Sequence, residues 1–367
     1  MIALTIERQG DEMKITIIGA GNSGLAMAAH LSIEGHEVTL WNRTVENIQD
    51  LLDRPYIHCS GVINGKAYIT CVTNDLSIAL EEPEIIFVTT PAFSHAELAA
   101  QFAIYLTEPT TIILNPGRTF GALEFQYNFH KKNPFVYPII AETQTILYTC
   151  RKITQNEVEI YALKHDVLIS TISGIENKAI IKGLPTVLQD KFIPAASMIE
   201  TSIGNVGMIM HCAPLLLNTG WVESENDDFN YYRTGISQTV ANFIEKMDNE
   251  RIEVAKKLGH PVEPAMEWMK RTYDLEGDNL YAVIQNNEAY ATISAPRSLG
   301  HRYIMEDIPT GLVPLEAVGK ELGLEMKTIG LIIDLASVLM EIDFRKEGRN
   351  LHELIEKNGI SAKMMLN

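Results

Sequence analysis

A glycine cluster near the N-terminus constrains the fold of this chain more than any other feature. The short apolar run Lys14–Ile18 is followed at once by Gly-Ala-Gly-Asn-Ser-Gly, residues 19–24. An Ala-, Leu- and Met-rich stretch then continues to about Glu34, and Gly35 follows it. A buried strand, a glycine-rich turn and a helix ended by glycine are therefore predicted in that order.

The glycines have separate purposes in such a turn. Gly19 permits the sharp reversal, Gly21 lets the backbone approach a pyrophosphate, and Gly24 allows the helix to pack closely on the strand. The helix would begin at Asn22 and Ser23, whose amides can bind an anion. A GxGxxG match is weak alone, but its position between a strand and a helix predicts dinucleotide binding.

Strand and helix signals go on alternating to about residue 150. We predict further strands at Val38–Trp41, Ile85–Thr89 and Thr111–Leu114, short strands within 56–73, and helices over Val45–Asp53 and from Ser94 to about Leu106. Such alternation predicts an α/β Rossmann domain with a doubly wound parallel sheet.

The pattern changes in the second half of the chain. Strand signals persist over 157–172, but from Ala179 helical periodicity dominates, with helices expected at 236–258, 279–289, 314–322 and 327–342. A chain of 367 residues is long enough for two domains. We place an NAD(P)-binding domain at 1–185 and a helical substrate domain at 186–367.

Charge and cysteine content narrow the class of protein. The formal net charge is −17, which argues against partners such as nucleic acid or an anionic membrane. The four cysteines form no CxxC pair and no His cluster has zinc spacing, so no metal is expected. Reduced cysteines and an N-terminus without an apolar leader predict a cytoplasmic protein. The apolar helix 327–342 is a candidate homodimer surface.

The end of the second predicted strand bears on the choice of cofactor. NAD-binding domains usually place an acidic residue there for the ribose 2′-hydroxyl, whereas this chain has Asn42, Arg43 and Thr44. Arg43 can pair with a 2′-phosphate, and Asn42 and Thr44 can donate hydrogen bonds to it. NADP(H) is therefore favoured, with NAD(H) possible. Alternatively, Arg43 is a solvated charge or stacks on adenine.

Two further segments follow predicted strands at the carboxyl edge of the sheet, where ligands bind in open α/β folds. Pro91 follows one strand, and Asn115, Pro116 and Gly117 follow the next. We expect Pro91, Asn115 and Gly117 to line the cofactor site. Arg118 either contacts the cofactor or a substrate carboxylate, or is an exposed residue of a Pro-Gly turn.

Two polar segments stand out in the helical half. The first is Gly207–Gly220, an apolar stretch that contains His211; a lone histidine in such a setting is more often a core residue than a catalyst. The second segment, 300–314, contains His, Arg, Tyr and two acidic residues before a Pro/Gly turn. Its simplest interpretation is a polar loop with solvated charges.

Several motifs together resemble the octopine/nopaline (opine) dehydrogenase family over nearly the full chain. They are the GxGxxG, the NPGR at 115–118, the ETQT at 142–145 with YTCR at 148–151, the HxxP…NxG at 211–220 and the RYxxEDxPxGLVP at 302–314. The resemblance implies a Rossmann domain joined to an all-helical domain similar to that of 6-phosphogluconate dehydrogenase. It also implies reductive joining of an amino acid's amino group to a 2-oxo acid.

The resemblance implies roles for particular residues. His211 matches the family's catalytic histidine and Asp307 its partner carboxylate, which suits a proton transfer beside a hydride transfer. Arg302 is a candidate for binding a substrate carboxylate. Thr143, Thr145 and Cys150 lie where the family places amino-acid contacts. One departure is that several familiar members use NADH, whereas residues 42–44 favour NADPH.

Two alternatives stay open at this point. A two-domain reductase of simple 2-oxo or hydroxy acids, similar to ketopantoate reductase, would have the same cofactor domain, but such enzymes generally rely on a lysine. A sensor that binds NADP(H) without turnover would need no His–Asp pair. If cofactor oxidation requires an added amine, the simple oxo-acid reductase is excluded. If the protein binds cofactor but shows no turnover, the sensor is favoured.

Overall fold

The computed structural model describes residues 12–225, 228–349 and 351, and these divide into two compact units. The first unit comprises the described residues up to Gly117 together with Phe125–Met198. The second unit comprises Arg118–Glu124 and the described residues from Ile199 onward. The sequence places the domain boundary between residues 185 and 186. In the structure the first unit continues to Met198, because Phe192–Pro194 pairs with Val167–Thr171 as a parallel strand and so extends its sheet.

The first unit contains one large and one small sheet. Its strands are β1 (Lys14–Ile18), β2 (Glu37–Trp41), β3 (Tyr56–Gly61), β4 (Gly65–Tyr68), β5 (Cys71–Thr73), β6 (Ile85–Val88), β7 (Thr111–Leu114), β8 (Ile139–Thr143), β9 (Tyr148–Thr154), β10 (Glu157–Leu163), β11 (Val167–Thr171) and β12 (Phe192–Pro194). The large sheet has the order β12-β11-β8-β7-β6-β1-β2-β5, and the small sheet β4-β3-β10-β9. From β5 to β8 every pair is parallel, and this order is that of a doubly wound dinucleotide-binding sheet. The predicted Rossmann fold is confirmed.

The helices of the first unit cover its sheets. They are α1 (Asn22–Ile33), α2 (Gln49–Asp53), α3 (Leu76–Ala79), α4 (His95–Tyr105), α5 (Gly121–Lys132), α6 (Asn177–Gly183) and α7 (Thr186–Gln189); the first residues of α5 cluster with the second unit. Helix α1 packs against strands of both sheets. This explains its sequence, since a helix that is apolar on all sides is a buried one. The helix that we predicted over Val45–Asp53 is broken into a 3₁₀ turn at Val45–Asn47 and α2.

The second unit is helical in its described part. Its helices are α8 (Met198–Ile203, which begins at the boundary), α9 (Gly207–Leu217), α10 (Thr219–Val222), α11 (Gln238–Lys257), α12 (Ala265–Tyr273), α13 (Leu280–Asn286), α14 (Arg302–Met305), α15 (Val313–Glu321), α16 (Lys327–Met340) and α17 (Phe344–Glu347). A π-helical turn, Ile308–Leu312, joins α14 to α15. Helix α9 lies at the centre, in contact with α11, α14, α16 and the π-helical turn. Among the described helices, none is long and apolar enough to cross a membrane.

Candidate active site

The glycine loop has the geometry that binding of a pyrophosphate requires. Gly19 has a φ of +109°, and a Cβ at Gly24 would lie 1.7 Å from the carbonyl oxygen of Gly19, so only glycine fits at Gly24. A Cβ at Gly21 would meet nothing within 4 Å. Open space at Gly21 beside tight packing at the other two glycines leaves the backbone accessible to a ligand.

Polar groups around the loop also fit an anionic ligand. Helix α1 starts without a side-chain cap, and the first N–H groups of a helix have no partner within it. The hydroxyl of Ser23 is buried without a hydrogen-bond partner. Lys152 braces the loop: its Nζ donates to the carbonyl of Ala20 at 3.1 Å, and its amide donates to Asn22 Oδ1 at 2.8 Å. These residues fit the pyrophosphate of a dinucleotide, and would hold it on the loop amides and the Ser23 hydroxyl.

The end of β2 is arranged differently from our expectation. Asn42 is used internally, since its Oδ1 accepts from the amide of Ala20 and its Nδ2 donates to the carbonyl of Thr44. Arg43 Nη1 lies 3.2 Å from Glu97 Oε2, with 66% and 57% of the two side chains exposed. The chain therefore places an acidic group beside Arg43 from α4, although none follows β2 in sequence.

The two loops at the carboxyl edge are firmly held. The carbonyl of Pro91 accepts from Ser94 Oγ at 2.7 Å and from its amide at 3.0 Å. Asn115, fully buried at the end of β7, accepts from the amide of Leu147 through Oδ1, while its Nδ2 has no partner. At Gly117 a Cβ would lie 2.5 Å from the side chain of Glu142. Of these residues, Asn115 has a hydrogen-bond donor still to satisfy.

The proposed amino-acid contacts of the first unit are largely occupied by bonds within it. Thr143 donates to the carbonyl oxygens of Thr145 at 2.9 Å and Leu114 at 3.4 Å. The hydroxyl of Thr145 accepts from Lys164 Nζ at 3.1 Å. Cys150 packs against the hydrophobic core, and burial raises the pKa of its thiol to about 11.

The second unit brings together the two residues that sequence could not pair. Eight of the eleven residues of α9 are buried, and His211 is a partly exposed exception, with 18% of its side chain accessible. Its Nδ1 lies 2.7 Å from Oδ2 of Asp307, which is 0% exposed at the start of the π-helical turn. The residues are 96 positions apart in the chain.

The electrostatics of this pair assign its protons. Burial opposes the charge of Asp307, but Arg118 and His211 outweigh it and hold the pKa of that carboxyl below its usual range. An ionised carboxylate can only accept, so Nδ1 of His211 carries the shared proton. Nε2 is then the nitrogen that can give a proton to a substrate or take one from it.

Neighbouring side chains fix the imidazole plane. The ring of Tyr303 stacks on His211 with centroids 3.9 Å apart and planes 13° apart. The hydroxyl of Tyr231 donates to the His211 carbonyl. Cys212 donates to the Tyr303 carbonyl at 3.2 Å, and burial raises the pKa of its thiol well above the usual range. Cys212 is therefore a packing residue and not a nucleophile.

Arginines surround the acidic pair Glu306 and Asp307. Arg118 Nε lies 3.4 Å from Glu306 Oε1, and its Nη1 lies 3.3 Å from Asp307 Oδ1. Arg302 Nε lies 3.5 Å from Glu306 Oε2, with 53% of the Arg302 side chain exposed. Arg118 is only 7% exposed, so the alternative of an exposed turn residue is wrong.

Sequence reasoning missed three of these partners: Glu97 beside Arg43, Tyr303 on His211 and Glu306 between two arginines. Tyr303 and Glu306 fall inside a motif that we had singled out, which was the available signal. No local spacing links Arg118 to Glu306, which lies 188 residues later.

Together, a doubly wound sheet with a glycine loop that fits a pyrophosphate and a buried His–Asp pair define an NAD(P)-dependent oxidoreductase. A family model described as NAD/NADP octopine/nopaline dehydrogenase, alpha-helical domain, matches residues 194–340. Another, described as ketopantoate reductase PanE/ApbA, matches residues 15–115. An opine dehydrogenase of Arthrobacter sp. (strain 1C) is 35% identical over 339 residues, which cover 92% of this chain and 94% of that protein. Octopine dehydrogenase of Pecten maximus is 24% identical over 346 residues, which cover 83% of this chain and 85% of that protein.

This chain belongs to the opine dehydrogenase family. It is an oxidoreductase acting on CH–NH donors, of the type that reductively condenses an amino acid with a 2-oxo acid.

Solved structures share the fold. An octopine dehydrogenase in complex with NADH and agmatine aligns with a TM-score of 0.75 at 20% identity, covering 90% of each chain. A yersinopine dehydrogenase with NADP⁺ bound aligns with a TM-score of 0.73 at 16% identity, covering 97% of this chain and 96% of that one. A ketopantoate reductase from Ralstonia eutropha aligns with a TM-score of 0.59 at 14% identity, covering 91% of this chain and 99% of that one. The two-domain fold is thus common to both classes of reductase.

Proposed function

We propose that this enzyme reduces the imine formed between an amino acid and a 2-oxo acid, with His211 as the proton donor. Condensation of the amine with the keto group releases water. A reduced nicotinamide supplies the hydride for the former keto carbon when it is bound. The nitrogen takes a proton, and the product is a secondary amine that carries two carboxylates.

The observation that carries this proposal is the 2.7 Å contact between His211 and a buried, ionised Asp307. Because Asp307 occupies Nδ1, Nε2 is left to deliver the proton in reduction and to accept one in the reverse reaction. The fixed carboxylate also stabilises the imidazolium that forms in that reverse reaction. Stacking on Tyr303 keeps the ring from rotating out of this geometry.

Arg302 is the proposed partner of a substrate carboxylate. It is the half-exposed arginine of the group around Glu306, and its fork of donors suits a planar carboxylate. Thr143, Thr145 and Cys150 stay predictions from the resemblance for amino-acid contacts, since their side chains already bond or pack within the first unit.

The reaction class is tested by measuring NADPH and NADH oxidation against a matrix of 2-oxo acids and amino acids. We expect oxidation only when both substrates are present, with one equivalent of secondary amine formed per cofactor oxidised. Oxidation with the oxo acid alone would favour a simple oxo-acid reductase. Cofactor binding without turnover across the matrix would favour a sensor.

The proton donor is tested with His211→Ala. We expect turnover to fall by about 10²–10⁴-fold, the usual contribution of general acid–base catalysis, with cofactor affinity nearly unchanged because the glycine loop is intact. His260→Ala, after α11 in the same unit, is the matched control and should behave as wild type. Near-normal turnover of a folded, cofactor-binding His211→Ala protein would refute the assignment.

We also propose that NADP(H) is preferred and NAD(H) accepted. Arg43 offers the charge for a 2′-phosphate, while Glu97 beside it offers an acceptor for a ribose hydroxyl. Arg43→Ala should weaken NADPH binding about tenfold, a modest value for a charged hydrogen bond because the side chain is exposed, and leave NADH nearly unchanged. Glu97→Gln should favour NADPH by a few-fold, since the exposed pair is weak. Equal wild-type affinity for both cofactors, measured by calorimetry, would overturn the preference.

The cytoplasmic location and the homodimer remain predictions. The four cysteines are free thiols in the structure, which suits a reducing compartment. Leu331 and Val338 of α16 are exposed apolar residues that a homodimer could cover, and sedimentation tests this directly.

A further inference from the structure

The buried charges beside the catalytic pair do not balance without one residue that the proposed mechanism does not use. Glu306 and Asp307 are consecutive residues with nearly inaccessible carboxylates, and burying two like charges side by side is unfavourable. The buried guanidinium of Arg118 faces both, through Nε toward Glu306 and Nη1 toward Asp307. Arg118 is thus the buried cation shared by the two carboxylates, and Arg302 contacts Glu306 from its exposed side at 3.5 Å.

Arg118 also lies against the oxygen of Asp307 that His211 does not use. Oδ1 of Asp307 is in ion-pair contact with Arg118 Nη1 at 3.3 Å and accepts no hydrogen bond, whereas Oδ2 bonds to His211 Nδ1. Arg118 therefore acts on this carboxylate through its charge. Among the groups that lower the pKa of Asp307, the Arg118 charge is the strongest, ahead of both contributions from His211. The pKa of Arg118 itself is raised, because Asp307 and Glu306 together outweigh the burial that opposes its charge.

The backbone brings Arg118 to this position at some cost. Arg118 and Phe120 have φ values of 61° and 59°, a left-handed conformation that is unfavourable for residues other than glycine. The segment is bonded to the turn that carries Asp307, since the amide of Thr119 donates to the Thr310 carbonyl at 3.2 Å. Arg349 Nη1 donates to the carbonyl oxygens of both Thr119 and Thr310. Unfavourable backbone conformations of this kind persist where the surroundings determine them, often at functional sites.

We propose that Arg118 is a positioning residue of the reaction: its charge keeps Asp307 as an ionised carboxylate behind His211, and Glu306 in turn holds Arg118. Arg118 therefore acts through Asp307 and does not contact the substrate. This inference rests on the proposed role of His211 and adds to it the residue that sets the pH range in which the pair works.

The pH profile separates this role from a structural one. In Arg118→Met, Asp307 loses its strongest stabilising charge and is protonated at a higher pH. The acidic limb of the turnover profile should therefore move to higher pH. We expect a shift of about one pH unit or more, since an opposite charge at this distance changes a pKa by about 1–3 units. Arg118→Lys, which keeps the charge without the fork, should show a smaller shift.

Glu306→Gln should shift the pH profile in the opposite direction, which gives a second test. Without the Glu306 charge, Arg118 pairs with Asp307 alone and the like charge beside Asp307 disappears, so the profile should move to lower pH. Arg345→Met is the control: it breaks a partly exposed arginine pair with Glu316 elsewhere in the second unit and should leave the profile in place. Histidine ¹⁵N chemical shifts across the pH range, with the His211 signal assigned by its loss in His211→Ala, report the same shifts without turnover.

The outcomes are distinct. A folded Arg118→Met protein whose activity falls equally at every pH would overturn this inference. If that variant does not fold, unshifted profiles in both Arg118→Lys and Glu306→Gln would overturn it instead. Normal turnover in His211→Ala would refute the proposed function itself. An inactive His211→Ala protein, together with Arg118 variants whose pH profiles do not shift, would refute only the role of Arg118.

Discussion

A buried histidine away from the proposed catalytic pair should make the stability of the first unit depend on pH. His30, in α1, is 3% exposed, and its Nδ1 lies 3.0 Å from the Tyr148 hydroxyl. Burial, with smaller contributions from Lys191 and His36, lowers the pKa of His30 from 6.5 to about 4. The neutral imidazole is thus the form that the folded chain accommodates.

The sign and the size of the effect on stability follow from this pKa shift. Between pH 6.5 and about 4 the unfolded chain binds a proton at residue 30 that the folded chain does not, so stability falls as the pH falls through this window. At about 1.4 kcal/mol per pH unit the loss amounts to about 3 kcal/mol. Above pH 6.5 and below about pH 4, His30 should contribute no further slope.

His30→Asn tests this reasoning, because the amide can still bond to Tyr148 but cannot take up the proton. Urea unfolding at a series of pH values should give a flatter dependence for the variant than for wild type between pH 6.5 and 4. The proteins differ only at residue 30, so the titration of all other groups cancels in the comparison. His58→Asn, an exposed residue of β3, should retain the wild-type slope. Parallel slopes for wild type and His30→Asn would refute the reasoning.

Two further predictions concern the glycine loop and the proposed catalytic pair. Gly24→Ala should lower the melting temperature, because its Cβ collides with the Gly19 carbonyl and overpacking costs about 1–3 kcal/mol of stability; the displaced loop should also bind the cofactor less tightly. Gly21→Ala should keep the melting temperature and lose cofactor affinity, since a Cβ there meets only open space. Unchanged cofactor titrations would contradict both expectations. Asp307→Asn should reduce turnover by at least about tenfold, since the amide can stabilise the wrong tautomer of His211. The double variant with His211→Ala should be little worse than the worse single variant, and additive losses in kcat would show that the two residues act separately.

The sequence alone determined the features that depend on neighbours along the chain. The strand-turn-helix at residues 14–34 could be predicted because apolar periodicity and glycine placement are local signals. The same applies to the helices α11, α15 and α16, whose predicted bounds differ from the observed ones by only a few residues. His211 and Asp307 were named only because the motifs around them resemble those of a family.

The tertiary structure alone decided which distant side chains meet. It extended the sheet with β12 and placed Glu97 of α4 beside Arg43. It also made Arg118, for which the sequence left a ligand contact or an exposed turn open, the buried partner of Asp307. No spacing along the chain encodes such pairs, because they arise when separate elements pack and exclude water from the charges between them. That exclusion makes an unpaired charge costly, and so the folded structure specifies the partners of these residues.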